Sequence, residues 1–201
     1  MSFSIRYARA GKYDDLQQAI QCSEQAIQKT PEDSRYRPSR LSHFANSLIH
    51  RYERTGKLED LEEAIEAYDL AVQKTPQGSP DLPMRFNNLG NATVSRYDRK
   101  GTLDDLHLAI TYYEQAIQKA TPNSPDLPMY FTNLGNSLSD RYRHTHQVDD
   151  LGRAVVASYL AVKKIPKNSP DFGVIGLMSF MNIQTREKIY NELSNFPKKL
   201  C

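Results

Sequence analysis

Apolar residues recur along this chain at intervals of three and four. Leu61, Ala64, Ile65, Tyr68, Ala71 and Val72 share one face of a helix, while Glu62, Glu63, Glu66 and Lys74 fall on the other. Pro76 and Gly78 interrupt the pattern, which predicts that the helix ends before them. A second helix is predicted from Ser79-Pro80-Asp81 to about Arg99. Ser or Asp there is suited to capping free amides, and proline is tolerated in a first turn. Gly101 is placed to take the left-handed conformation that ends such a helix.

The pattern then repeats. SPDLPMRFNNLGN at 79–91 returns as SPDLPMYFTNLGN at 124–136, an offset of 45 residues. Gly11, Gly56 and Gly101 precede Tyr13-Asp14-Asp15-Leu16, Leu58-Glu59-Asp60-Leu61 and Leu103-Asp104-Asp105-Leu106. A fourth copy has His146 where glycine stood, a harder residue to place in a left-handed turn, followed by Val148-Asp149-Asp150-Leu151. Upstream of each lies an Arg-Tyr pair: Arg6-Tyr7, Arg51-Tyr52, Arg96-Tyr97 and Arg141-Tyr142. A fixed period of this size implies stacked copies of one supersecondary unit. The landmarks at 11, 56, 101 and 146 define a repeat array over 1–172. Residues 173–201 read as a C-terminal capping helix and tail. The run from Val174 to Ile183 is apolar nearly all round, and the chain opens part-way down a first helix. Two expectations stand for these ends: the last helix docks onto a partner, or the chain is a fragment of a longer array.

The arrangement resembles the tetratricopeptide repeat. The family's first-helix pattern is matched by Phe86, Leu89, Gly90 and Thr93, and its second-helix pattern by Ala64, Tyr68, Ala71 and Pro76. Phe131, Leu134, Gly135 and Leu138 follow in the next unit with Ala109, Tyr113 and Ala116; Leu41, Phe44, Ala45 and Leu48 form a looser copy. The period exceeds the family's usual length of about 34 residues, as in the extended arrays of multi-repeat fungal and cyanobacterial proteins. The resemblance implies an all-α, right-handed superhelical solenoid of antiparallel helix pairs, with about nine helices.

It also implies a concave groove lined by the first helices. Asn46, Asn91 and Asn136 each follow the small residue at the helix contact by one place. In such arrays an amide at this face holds the backbone of an extended peptide, offering donor and acceptor whatever the peptide's side chains. Ser42, Asn87 and Thr132, then Ser39, Met84 and Met129, flank the column at helical spacing. The alternative reading is that each asparagine bonds the backbone of the neighbouring repeat and fixes stacking. The lysines of a carboxylate clamp are missing from these positions, which disfavours chaperone tails. Gly90 and Gly135 mark close helix contact, so leucine there would overpack the seam, while alanine, already present as Ala45, is expected to be mild. The arginine column faces the acidic pair of the next helix. A bidentate tie across the turn accounts for its recurrence without a ligand, and the companion tyrosines read as core rings. Asn91-Ala92-Thr93 fits a glycosylation acceptor but lies inside a predicted helix and reads as chance.

Composition changes this picture little. Charged residues make up 25% and the net charge is +2, with both signs interspersed, which points to solvated helix faces rather than a polyanion-binding arm. Cys22 and Cys201, at opposite ends, form neither a disulfide framework nor a metal site. A signal core and a membrane-spanning run are both missing, so a cytoplasmic location is the expectation. None of His43, His50, His107, His144 and His146 recurs with the period beside a carboxylate or thiol, and phosphate loops and nucleophile elbows do not occur. The sequence therefore predicts a non-enzymatic protein–protein interaction scaffold without cofactor or metal, docking an extended peptide or helix of unknown identity. The alternative is a segment that self-associates end to end through its terminal helices, or covers a catalytic domain of a partner. Nucleic acid and membrane are not expected partners.

Overall fold

The structure is a computed structural model that describes residues 13–165, and among these residues it contains seven α-helices and no strand. They are α1 (Tyr13–Gln28), α2 (Arg37–Thr55), α3 (Leu58–Gln73), α4 (Leu82–Lys100), α5 (Leu103–Lys119), α6 (Leu127–Thr145) and α7 (Val148–Lys164). The expected count of about nine is thus not matched. The stub at 1–10 and the helix expected at 173–193, which supplied the difference, lie outside the described residues. The long helices α2, α4 and α6 have 19 residues each, about 28 Å at 1.5 Å per residue, and their starts lie 45 residues apart.

Proline starts these long helices. Pro38, Pro83 and Pro128 sit in the first turn, where the missing N–H costs no helical bond. The expected side-chain cap is not formed. Ser79 and Ser124 instead accept the backbone amides of Asp81 and Asp126 at 3.3 Å, shaping the turn ahead of the helix. Each long helix then ends on a residue with positive φ: Gly56 (69°), Gly101 (72°) and His146 (56°). Their amides bond the carbonyls of Tyr52, Tyr97 and Tyr142 at 2.7–2.8 Å. His146 therefore makes the same turn as the glycines, against the cost of its Cβ in that conformation.

The turn returns the chain as a short helix, and a recurring ion pair clasps the hairpin. Arg51 reaches Asp60 with Nε to Oδ2 at 2.9 Å and Nη2 to Oδ1 at 2.7 Å. Arg141 grips Asp150 the same way, at 2.8 and 2.5 Å. Arg96 places Nε and Nη2 on one oxygen of Asp105, at 3.0 and 2.6 Å. The three aspartates are buried, so the arginine provides the compensation their charge needs. The arginine column is structural, as its spacing predicts; Arg6 lies outside the described residues. Tyr52, Tyr97 and Tyr142 are half-buried.

The chain forms two compact units, residues 1–119 with α1–α5 and residues 120–201 with α6–α7. In the first, Leu16 and Ile20 of α1, Phe44, Ala45 and Leu48 of α2, Leu61, Ala64, Ala67 and Tyr68 of α3, and Leu89 and Ala92 of α4 make one apolar core. In the second, Leu134 and Leu138 on α6 are buried, as are Ala154, Ala157 and Ala161 on α7. Small residues on α7 let the paired helices approach closely.

Candidate functional site: the asparagine face

On each long helix the inward residues are set by the apolar stripe, and a polar stripe remains on the other side. On α2 it runs Ser39, His43, Asn46, His50; on α4, Met84, Asn88, Asn91, Ser95; on α6, Met129, Asn133, Asn136, Asp140. All are exposed or half-buried, and steps of four, three and four keep them on one helical face. Asn46, Asn91 and Asn136 are exposed at the middle of each stripe, and Met84 and Met129 stand 49% and 40% exposed at its start.

The other residues expected to flank the column are placed differently. Ser42 is buried, donating to the Pro38 carbonyl at 3.1 Å, and Asn87 is only 1% exposed. Thr132 is half-buried and donates to the Pro128 carbonyl at 2.8 Å. The stripe passes instead through His43, Asn88 and Asn133, one residue further on. A step of three and a step of four are both helical, so Ser42 and Asn87 fall on the buried side of the stripe while Thr132, half-buried like Asn133, lies at its edge. The available signal was chemical: Ser and Thr at 42 and 132 can satisfy themselves on their own helix and so tolerate burial.

Beneath the stripe of the first unit, Arg85 joins the two long helices. Its Nη1 donates to the Pro38 carbonyl (3.1 Å) and Ser42 Oγ (2.8 Å), and its Nη2 to Ser39 Oγ (3.2 Å) and Asp81 (3.1 Å). Burial lowers the pKa of this guanidinium, against the pull of Asp81, and its Nε is buried without a partner. This residue was not singled out in the sequence, because an arginine on a helix reads as a solvated face. In the second unit the same place holds Tyr130, buried, its hydroxyl pKa pushed up to about 12 by desolvation.

Each exposed asparagine of the first unit meets a tyrosine from the paired short helix. Tyr68 donates its hydroxyl to Asn46 Oδ1, and Tyr113 donates to Asn91 Oδ1 at 2.8 Å. Both rings are almost fully buried, and burial raises both hydroxyl pKa values. Room for the ring comes from the small residue just before the asparagine. A Cβ at Gly90 would lie 2.6 Å from Tyr113, so alanine there is not the mild change the sequence suggested. In the second unit the tyrosine is replaced by Ser158, which bonds the Ala154 carbonyl at 2.9 Å on its own helix. A Cβ at Gly135 would find Ser158 Oγ at 3.2 Å.

Among the described residues, no group of three or more His, Cys, Asp or Glu is arranged to hold a metal, and no helix is long and apolar enough to cross a membrane. His144 and His146 lie exposed at the end of α6, His146 edge-on to Tyr142 at 6.1 Å. Asn91 and Thr93 sit mid-helix, with Thr93 buried.

No protein-family model and no curated protein matches the sequence. Solved structures do match. A kinesin light chain-like protein of Podosopora anserina, with nearly identical TPR-like repeats, superposes with a TM-score of 0.64 at 15% identity, over 96% of this chain and 90% of that one. BtubC (BKLC) of P. vanneervenii superposes with a TM-score of 0.61 at 17% identity, over 99% of this chain and 81% of that one. The fold is TPR-like. At such identities the likeness extends to the fold alone.

Proposed function

We propose that this protein is a non-catalytic interaction scaffold whose asparagine face docks an extended peptide of a protein partner, without cofactor or metal. One observation carries the reading: an exposed carboxamide stands at the same place on α2, α4 and α6 while the positions before and after it are packed inside. A carboxamide bonds main-chain groups irrespective of side-chain identity. Met84 and Met129 supply adaptable apolar contact at the start of each stripe. The competing role, tying each asparagine to the next repeat's backbone, is weakened at Asn46 by the tyrosine bond within its own hairpin.

The test is selection of random 12-residue phage-displayed peptides on the intact chain, followed by affinity measurement on the Asn46→Ala, Asn91→Ala, Asn136→Ala triple variant. The expected outcome is at least a tenfold loss of affinity. Stability should fall by about 1 kcal/mol at each of the two tyrosine-bonded sites. Recovery of no binder, or of binders that hold the triple variant equally well, ends the reading.

A second reading has its own observation. Val156 and Tyr159 on α7 are 57% and 56% exposed, where the corresponding residues of α3 and α5 are Glu66, Thr111, Asp69 and Glu114. An apolar outer face on this helix favours self-association or cover by a partner domain. Sedimentation across a wide concentration range checks it: Val156→Glu with Tyr159→Glu should abolish any concentration-dependent gain in mass.

A further inference from the structure

We infer that the outer face of α7 is a self-recognition surface, on which two copies of this chain pair antiparallel about a two-fold axis at Val156. This gives the second reading above one occupant and does not depend on the asparagine face. On α7, Val148, Gly152, Val156 and Tyr159 follow at steps of four, four and three, so they share one face. Val148, Val156 and Tyr159 are each more than half exposed, and a Cβ on Gly152 would meet nothing within 4 Å. The matching face of α3 carries Leu58, Glu62, Glu66 and Asp69, and that of α5 carries Leu103, His107, Thr111 and Glu114. The apolar face is thus a property of α7 and not of the repeat. Stacking does not account for it: α4 follows α3 and shares its core, yet Glu66 remains exposed there.

What selects a second copy is the charge at the two ends of the face. α7 has Asp149 in its first turn and Lys163 in its last, both exposed. Each lies seven residues from Val156, one before and one after. Seven residues is close to two helical turns, so all three fall nearly on one line. A copy turned about Val156 therefore brings Asp149 beside Lys163 of the second copy, and symmetry makes this contact twice. Tyr159 then lies over Gly152 of the second copy, where the missing side chain leaves room for a ring. Lys163 stands over the Tyr159 ring at 5.8 Å, so cation and ring approach the second copy together. Antiparallel pairing also sets the two helix dipoles in opposition. The same operation on α3 would set Glu66 against itself and Glu62 against Asp69, and on α5 it would offer Asp104 only Gln118. Neither face has an apolar centre with opposite charges at its ends. A 17-residue helix offers a footprint about 25 Å long and 10 Å wide, well short of a standard interface, so the pair is a weak one.

Sedimentation of the intact chain from roughly 1 to 500 μM, the range suited to so small an interface, should show a reversible rise from the monomer mass toward twice that value. Asp149→Lys alone and Lys163→Glu alone should each weaken association about five- to tenfold, by setting like charges together. The double variant should restore it, because the exchanged pair is again complementary. In a Cys22→Ser, Cys201→Ser background, Val156→Cys, which the axis sets against its own copy, should oxidise to a disulfide-linked dimer. Glu66→Cys, also exposed but on α3, should not. A monomer throughout the range overturns the second copy and leaves cover by a partner domain standing. Association indifferent to Val156→Glu overturns the α7 face. Association lost on Val156→Glu but unmoved by the single charge variants, or not restored by the double one, overturns the antiparallel register. None of these outcomes bears on peptide docking, since the asparagines are untouched.

Discussion

The hairpins α4–α5 and α6–α7 share their landmarks, and among their many sequence differences three bear on the seam and the turn. The first has Arg85, Tyr113 and Gly101; the second has Tyr130, Ser158 and His146. The clasp, Arg96 to Asp105 or Arg141 to Asp150, is common to both, and so is the left-handed turn. What defines the hairpin is therefore held constant, while what fills the seam beneath the asparagine face varies. In α4–α5 a tyrosine crosses the seam over a glycine and reaches the surface carboxamide. In α6–α7 a serine turns back on its own helix. One glycine is required by a ring, and the other faces the Ser158 hydroxyl, the Ala154 carbonyl and the Ala157 methyl.

The largest expected effect probes what is shared. Arg96→Ala leaves Asp105 buried without its cation, and Arg141→Ala does the same to Asp150. Each should cost about 3–5 kcal/mol in chemical denaturation. Similar losses in both hairpins would confirm that the clasp is independent of the seam; a loss in only one would break the comparison.

The next effect probes what differs. Gly90→Leu should cost about 1–3 kcal/mol by overpacking. Gly90→Ala should cost about 1 kcal/mol, since the Tyr113 ring must yield despite the gain in helix propensity. Gly135→Ala, facing Ser158, should be neutral or stabilising by up to about 1 kcal/mol. Thermal unfolding of the two alanine variants gives the sign directly. Adding Tyr113→Ser to Gly90→Ala should remove the steric part of the penalty. Ala45, which coexists with Tyr68, shows that a ring can be accommodated when the hairpin is built for it.

His146→Gly should stabilise the protein by about 1 kcal/mol, by relieving a Cβ at φ 56°. Gly101→His should destabilise by a similar amount, and matching values would show that the two turns are equivalent. The smallest effect is in alkali. The folded-state pKa values of Tyr68, Tyr113 and Tyr130 lie above the unfolded value of about 10, so the folded state retains protons that the unfolded chain releases. Their contribution is complete below pH 10 and is lost as pH rises beyond it. Midpoints of urea denaturation should fall from about pH 10 upward, and less steeply in Tyr113→Phe.

Most of the hairpin could be read from the chain, because its determinants are local. The apolar spacing, the proline at the start of each long helix, the residue ending it, and the Arg–Asp clasp nine residues apart all lie within one stretch of sequence. The exposure of Asn46, Asn91 and Asn136 follows from the same local pattern. The burial of Asn87 does not, because the inside and outside of a helix differ by one residue where Asn87 and Asn88 are chemically identical. Nor was Arg85, whose partners Pro38, Ser39 and Ser42 lie more than 40 residues away and are set by packing. The asparagine–tyrosine contact needed the helix crossing itself, which no single-helix pattern contains.

The clasp has a consequence for how the chain acquires its structure. Arg51 and Asp60, Arg96 and Asp105, and Arg141 and Asp150 are each separated by nine residues. Closing so short a loop costs little chain entropy and takes about 10–100 ns. Each hairpin thus holds its strongest polar contact at low sequence separation, so the kinetic barrier falls on bringing hairpins together rather than on forming them. In a folding chevron, clasp variants should change the refolding rate, whereas variants of Arg85, which spans two hairpins, should act chiefly on unfolding.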